Sequence, residues 1–171
     1  MRWVVLLLAA AVVAGLLRER LAAPFHVLAL YTRPPDAVLR MPVEGVRVAR
    51  VSNTWRAPRP GDRTHEGQDI FARRGTPVRS ATAGVVLRIG ENRLGGLTVT
   101  VLGAGGRLYY YAHLDAYAEG LQTGRAVTPQ TVLGYVGNTG NARSTPPHLH
   151  FGVYARGAAI NPLPLLEDRG P

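Results

Sequence analysis

The hydrophobic pattern divides the chain into three stretches of different character. Trp3 to Leu17 is an uninterrupted apolar run, preceded by Met1-Arg2 and closed by Arg18-Glu19-Arg20. It falls short of the roughly 20 residues that cross a bilayer squarely. It fits the h-region of a signal peptide, or a short signal anchor whose flanking arginines reach back to the headgroups. Leu21-Ala22-Ala23 sets a bulky residue where cleavage favours a small one. Residues 1–23 are therefore read as an apolar helix, an uncleaved anchor in preference to a removed signal peptide.

Residues 24–45 hold Pro24, Pro34, Pro35 and Pro42 without a long period, which predicts a linker with one short helix. From residue 46 the pattern changes to short runs with strand-like alternation. Val46, Val48 and Val51 predict a first strand, followed by a polar, proline-rich loop over 53–63. Strands are expected over 77–80, 84–89, 97–102, 107–112, 131–136 and 148–154. Gly103-Ala104-Gly105-Gly106 joins two of them as a hairpin turn, with no following helix start or Lys that would make it a phosphate loop. Pro162, Pro164, Gly170 and Pro171 end regular structure. The expected architecture is mostly β: a compact antiparallel β-sheet domain over 46–162, with a tail over 163–171.

Composition sharpens this picture. With 20 Gly and 13 Pro in 171 residues, the chain favours a single turn-rich β domain over a helical bundle. It has no Cys, so no disulfide staples the fold and no thiolate serves as metal ligand or nucleophile. The formal net charge is +9, and every basic side chain is Arg. The arginines are scattered and lack the stripe with interleaved aromatics of a nucleic-acid site. No nucleic-acid partner is expected; an anionic surface such as an acidic wall polymer is compatible with the charge.

The candidate chemistry lies in the histidines. His65 and Asp69 form an H-x-x-x-D pair that offers one imidazole and one carboxylate, both common zinc ligands. Gly67 and the following Ile70-Phe71 predict a turn into a strand, so Glu66 points away from His65. The second His of a helical H-E-x-x-H site is missing, and Glu66 is rejected as a base. In His148-Leu149-His150 the two imidazoles project from one strand face while Leu149 enters the core. His113 ends the strand that carries Tyr109, Tyr110 and Tyr111, of which one or two line a groove. His26 falls in the linker and is read as solvated. A catalytic zinc centre takes three protein ligands and water; His65, Asp69 and one of His148 and His150 would complete such a site.

Three motifs, His65 to Asp69, Tyr111-Ala112-His113-Leu114 and Pro147-His148-Leu149-His150-Phe151, resemble those of the lysostaphin-type, or LytM-like, peptidoglycan metalloendopeptidases. The resemblance continues through Arg74-Gly75-Thr76-Pro77-Val78, Ala83-Gly84-Val85-Val86 and Gly134 to Gly140, in the family's order over residues 50–162. It implies one zinc ion per chain held by His65, Asp69 and His150, with His113 and His148 as the catalytic pair. It further implies hydrolysis of peptide cross-links in bacterial peptidoglycan, with wall peptides as the partner. The alternative within the family is a non-catalytic regulator that activates another wall hydrolase; such members have lost ligands, whereas all five positions are filled here. The loop Asn138 to Pro147 departs from the commonest, shorter form by carrying Asn141-Ala142-Arg143, and it borders the strand of His148 and His150. More positive charge follows the apolar run than precedes it, which by itself favours a cytoplasmic body. The wall substrate instead places the domain in the cell envelope, on the periplasmic or extracellular face, and that placement is the expectation.

Overall fold

The computed structural model describes residues 27–59 and 61–170. The apolar helix expected over 1–23 and the solvated reading of His26 both lie outside the described residues.

The body is an antiparallel sheet whose strands alternate between a core face and a face that carries the site. In chain order, β1 (Leu39–Arg40), β2 (Pro58–Arg59) and β3 (Arg63–Thr64) are short, and β4 (Gln68–Phe71) is the first strand of the main sheet. There follow β5 (Pro77–Arg79), β6 (Gly84–Asn92), β7 (Gly96–Gly103), β8 (Leu108–Tyr117), β9 (Ala126–Val127) and β10 (Val132–Val136). The chain closes with β11 (His148–Ala155), β12 (Ala158–Ile160) and β13 (Leu166–Glu167). The main sheet runs in the order β12-β11-β8-β7-β6-β9, with β4 on β11 and β10 bridging β5 and β8. The 3-10 turn Ala104–Gly106 joins β7 to β8, at the position of the expected hairpin.

Alternation decides which side chains fill the core. Leu149, Phe151 and Val153 of β11 are fully buried, as are Tyr109 and Tyr111 of β8 and Val99 and Val101 of β7. Phe151 packs against the rings of Tyr109 and Tyr111. Each such side chain contributes roughly 1.5–3 kcal/mol of transfer free energy. His148, His150 and Tyr154 of β11 project from the opposite face.

The structure departs from expectation in two places. Residues 46–51 do not form a strand: Val48–Arg50 is a 3-10 turn, and the Asp168 carboxylate accepts the Val48 N–H at 2.6 Å. The Val51 N–H returns to the Val48 carbonyl at 3.0 Å, so local bonds replace a ladder. The second departure concerns the expected linker and the tail. Leu39, Met41 and Val43 are fully buried, and β1 pairs in parallel with β13. Arg169 ties these segments to the body, its guanidinium donating to the carbonyls of Met41, Pro129 and Ser80. Residues 27–32 are helical, and Leu30 packs on Val85 and Leu102.

Candidate metal centre

The centre is assembled on three neighbouring strands. On β4, Asp69 stands opposite His150 of β11, and His148 stands opposite Phe71. On the far side of β11, His150 lies opposite Ala112 of β8. His65 enters from the turn before β4 and packs tilted against the His150 ring, with centroids 4.8 Å apart. Gly67 makes this approach possible, because a Cβ there would lie 2.5 Å from Cε1 of His150. Glu66, by contrast, is exposed beside buried His65, as the extended reading of this segment requires.

His113 reaches the site through a β-bulge. Strict alternation from Tyr109 and Tyr111 would send its side chain into the core. The β7–β8 register instead moves from Val99↔Tyr111 to Leu97↔Leu114, which leaves one extra residue on β8. His113 takes the left-handed conformation there, with φ 63°, sparsely populated by non-glycine residues. Its ring then lies 5.0 Å from that of His148 and 5.9 Å from that of His150. Tyr110, on the site face of β8, sits edge-on to His150 at 6.1 Å.

Three of the four rings have their tautomer fixed by a backbone carbonyl, which can only accept. Nδ1–H of His65 donates to Thr54 at 2.7 Å, that of His113 to Thr139 at 2.9 Å, and that of His148 to Pro146 at 2.9 Å. In each neutral ring Nε2 keeps its lone pair. The loop 138–147 supplies two of these carbonyls, one from each end. Thr139 also accepts the Leu97 N–H with its hydroxyl and donates that hydroxyl to the Leu114 carbonyl, clamping both sides of the bulge.

His65, Asp69 and His150 form the group that could hold a metal ion. Nε2 of His65 and Nδ1 of His150 are 2.8 Å apart, and both approach Oδ1 of Asp69, at 3.0 and 3.2 Å. A single imidazole proton can bridge one pair of these atoms, whereas a cation at their common focus satisfies all three. A tetrahedral zinc with bonds of about 2.0–2.1 Å sets ligand atoms about 3.3 Å apart, within about half an ångström of this spacing. The donor set therefore fits the ion. His148 stands further off, with Nε2 3.9 Å from the same oxygen.

Electrostatics bias Asp69, His113 and His150 towards the protonation states that suit a cation. Burial by itself raises the Asp69 carboxyl, but hydrogen bonds from His150 and His65 outweigh it and hold the group below the usual carboxylate range. Burial pushes His113 down to about 4, assisted by the neighbouring His148 and His150. Burial also lowers His150, against the opposing pull of Asp69. Rings so depressed are neutral near pH 7.

Several contributors carry no motif of their own. Arg59 of β2 donates to Oδ2 of Asp69 at 2.5 Å, leaving Oδ1 to the histidines. The carbonyls of Thr54, Thr139 and Pro146 belong to side chains that give no hint of the role. Gly67 is the one member with a sequence signal, a glycine between two candidate ligands.

Residues 63–162 match peptidase family M23. The chain is 43% identical over 109 residues to the L-Ala--D-Glu endopeptidase of Bacillus subtilis, covering 60% of this chain and 33% of that protein. It is 32% identical over 112 residues to lysostaphin of Staphylococcus simulans, covering 62% of this chain and 22% of lysostaphin. The chain thus spans a third or less of the length of these relatives. Among solved structures, the fold superposes on an M23 peptidase from Pseudomonas aeruginosa with a TM-score of 0.62 and 31% identity, covering 87% of this chain and 58% of that one. The catalytic domain of lysostaphin gives a TM-score of 0.59 and 27% identity, covering 68% of this chain and 92% of that one.

Proposed function

This chain belongs to peptidase family M23, and from that premise we propose that it is a zinc-dependent endopeptidase hydrolysing peptide cross-links of bacterial peptidoglycan. The observation that carries the reading is the convergence of His65, Asp69 and His150 on one focus, with His113 and His148 beside it. A non-catalytic regulator has no need of this complete set, and no feature of the site favours that role.

In this proposal His65, Asp69 and His150 hold the ion through Nε2, Oδ1 and Nδ1. When bound, zinc supplies Lewis acidity, polarising the peptide carbonyl and bringing water towards a neutral pKa. His113 and His148 handle the proton. Each presents an Nε2 lone pair, held in place by the carbonyl that fixes its other nitrogen. Either ring can accept the proton of the attacking water, and the resulting imidazolium can return it to the departing amine. Arg59 holds the outer oxygen of Asp69 and so sets the angle of the carboxylate. The exposed ring of Phe71, tilted over His148 at 5.1 Å, offers an apolar surface beside the reacting bond.

The wall substrate places the domain in the cell envelope, and we assign residues 1–23 the role of signal anchor or signal peptide. Among the described residues no helix is long and apolar enough to cross a membrane.

The test combines two measurements on the full chain: zinc content, and release of peptides from purified peptidoglycan. The expected result is about one zinc per chain and peptide release that chelation stops and added zinc restores. Protein that retains zinc but solubilises no wall peptide would establish the regulator instead. Protein that binds no metal would remove the site.

A further inference from the structure

A cavity of about 450 Å³ opens beside the candidate metal centre, between β4 and the segment 45–52. Among the described residues β4 pairs with β11 alone, so no strand covers its other edge. The Asp69 N–H points to that edge, where Thr54 Oγ1 accepts it at 2.9 Å. Alternation along the strand sends the N–H and C=O of Phe71 to the same side. An extended peptide laid there would add to the sheet through the backbone of Phe71, the mode of recognition open to any free strand edge.

The opposite wall carries Arg47 and Arg50. Both are exposed, and among the described residues neither forms an ion pair. The acidic groups around the slot are engaged elsewhere. Glu44 is bound by Arg79 at 2.7 Å, Asp168 takes the Val48 N–H, and Asp69 faces the histidines and Arg59. Two arginines thus line a space that also touches Asp69 and is large enough for a side chain with its water. A planar carboxylate matches the guanidinium fork through paired hydrogen bonds.

We propose that this slot is a substrate subsite that selects an acidic peptide: Arg47 and Arg50 hold a free carboxylate of the residue beside the scissile bond, while the peptide backbone runs along the edge of β4 opposite β11. The proposal rests on the peptidase reading above and adds the substrate class. A neutral bridge, such as a run of glycines, has no group for these arginines and gains nothing from them.

The test uses the zinc-loaded full chain and two synthetic peptides that differ only in whether that carboxylate is free or amidated. For the wild type, KM for the free acid is expected to lie about tenfold below that for the amide, with kcat nearly unchanged, as befits a charge-assisted contact made before the transition state. The double variant Arg47→Ala/Arg50→Ala removes that ratio, the pair Arg47→Lys/Arg50→Lys restores part of it, and zinc content stays the same. Arg88→Ala, on an exposed position of β6, controls for the general loss of positive charge and preserves the ratio. Equal KM for the two peptides in the wild type, or an undiminished ratio in the double alanine variant, overturns the subsite. Calorimetric titration of both peptides reads the same discrimination as a ratio of Kd without turnover. A tenfold Kd ratio with no cleavage sinks the hydrolase reading and leaves the subsite standing; equal Kd values, or binding of neither peptide, sink the subsite.

Discussion

Tyr111 and Leu114 are both fully buried on the core face of β8, although they stand three positions apart. In a regular strand an odd separation puts two side chains on opposite faces. The bulge between them absorbs the extra residue and turns His113 out of the core and towards His148. A packing irregularity in the middle of the sheet thus delivers a candidate catalytic group to its place.

The conformation of His113 gives a prediction that separates backbone strain from chemistry. At φ 63° glycine is at ease and alanine is not, so His113→Gly should be more stable than His113→Ala by about 1 kcal/mol. Both should retain zinc and lose turnover. Denaturant unfolding of the two variants measures the difference; equal stabilities would show that the bulge stores no strain at this residue.

The two groups of site residues should respond differently to removal. His65→Ala, Asp69→Ala and His150→Ala are expected to lose zinc and all activity. His113→Ala and His148→Ala should keep the metal while turnover falls by about 10²–10⁴-fold. Metal analysis beside a peptide-release assay distinguishes the groups, and loss of zinc from His148→Ala would reassign that residue as a ligand.

Gly67 tests the steric side of ligand placement. A methyl group there would meet Cε1 of His150 at 2.5 Å and the Phe151 carbonyl at 2.9 Å, so Gly67→Ala should push the His150 ring off its focus. Zinc content is expected to fall while the circular dichroism of the sheet is retained. Stoichiometric zinc in this variant would mean that the ring has room to move.

Arg59 tests the role of the outer carboxylate oxygen. Arg59→Gln removes the charge that steadies Asp69, and zinc affinity should fall by about tenfold or more, in the range of other groups that orient metal ligands. Competition with a chelator gives the constant. Arg59→Lys should recover part of the loss; an unchanged constant in Arg59→Gln would reduce the contact to a surface ion pair.

Thr139→Val keeps the side-chain shape but removes the hydroxyl that serves Leu97 and Leu114. Leaving those groups unmet should cost about 1–3 kcal/mol of stability. The accompanying shift of His113 should lower kcat with little change in KM and none in zinc content. A stability loss with kcat unaltered would confine Thr139 to structure.

The sequence by itself determined the sheet character and the candidate chemistry. Period-two patterning marked most strands, because one buried face obliges apolar residues to alternate, and the same rule placed His148 and His150 on one face with Leu149 in the core. The spacing of His65 and Asp69 around Gly67 marked a candidate metal-binding pair. Tertiary structure decided what local patterning does not encode. Alternation alone would have buried His113 in the core, and only the pairing of β7 with β8 reveals the extra residue that reverses it. Val46, Val48 and Val51 have strand-like residues but find Asp168 instead of a neighbouring strand, so a turn forms. Leu39, Met41 and Val43 sit in a proline-punctuated stretch whose burial depends on β13, far along the chain. Arg59 and the carbonyls of Thr54, Thr139 and Pro146 are distant in sequence from the groups they orient or are masked by unremarkable side chains. Hydrogen bonds to backbone oxygen leave no mark in residue identity, and for that reason the support of the site became visible only once the chain was folded.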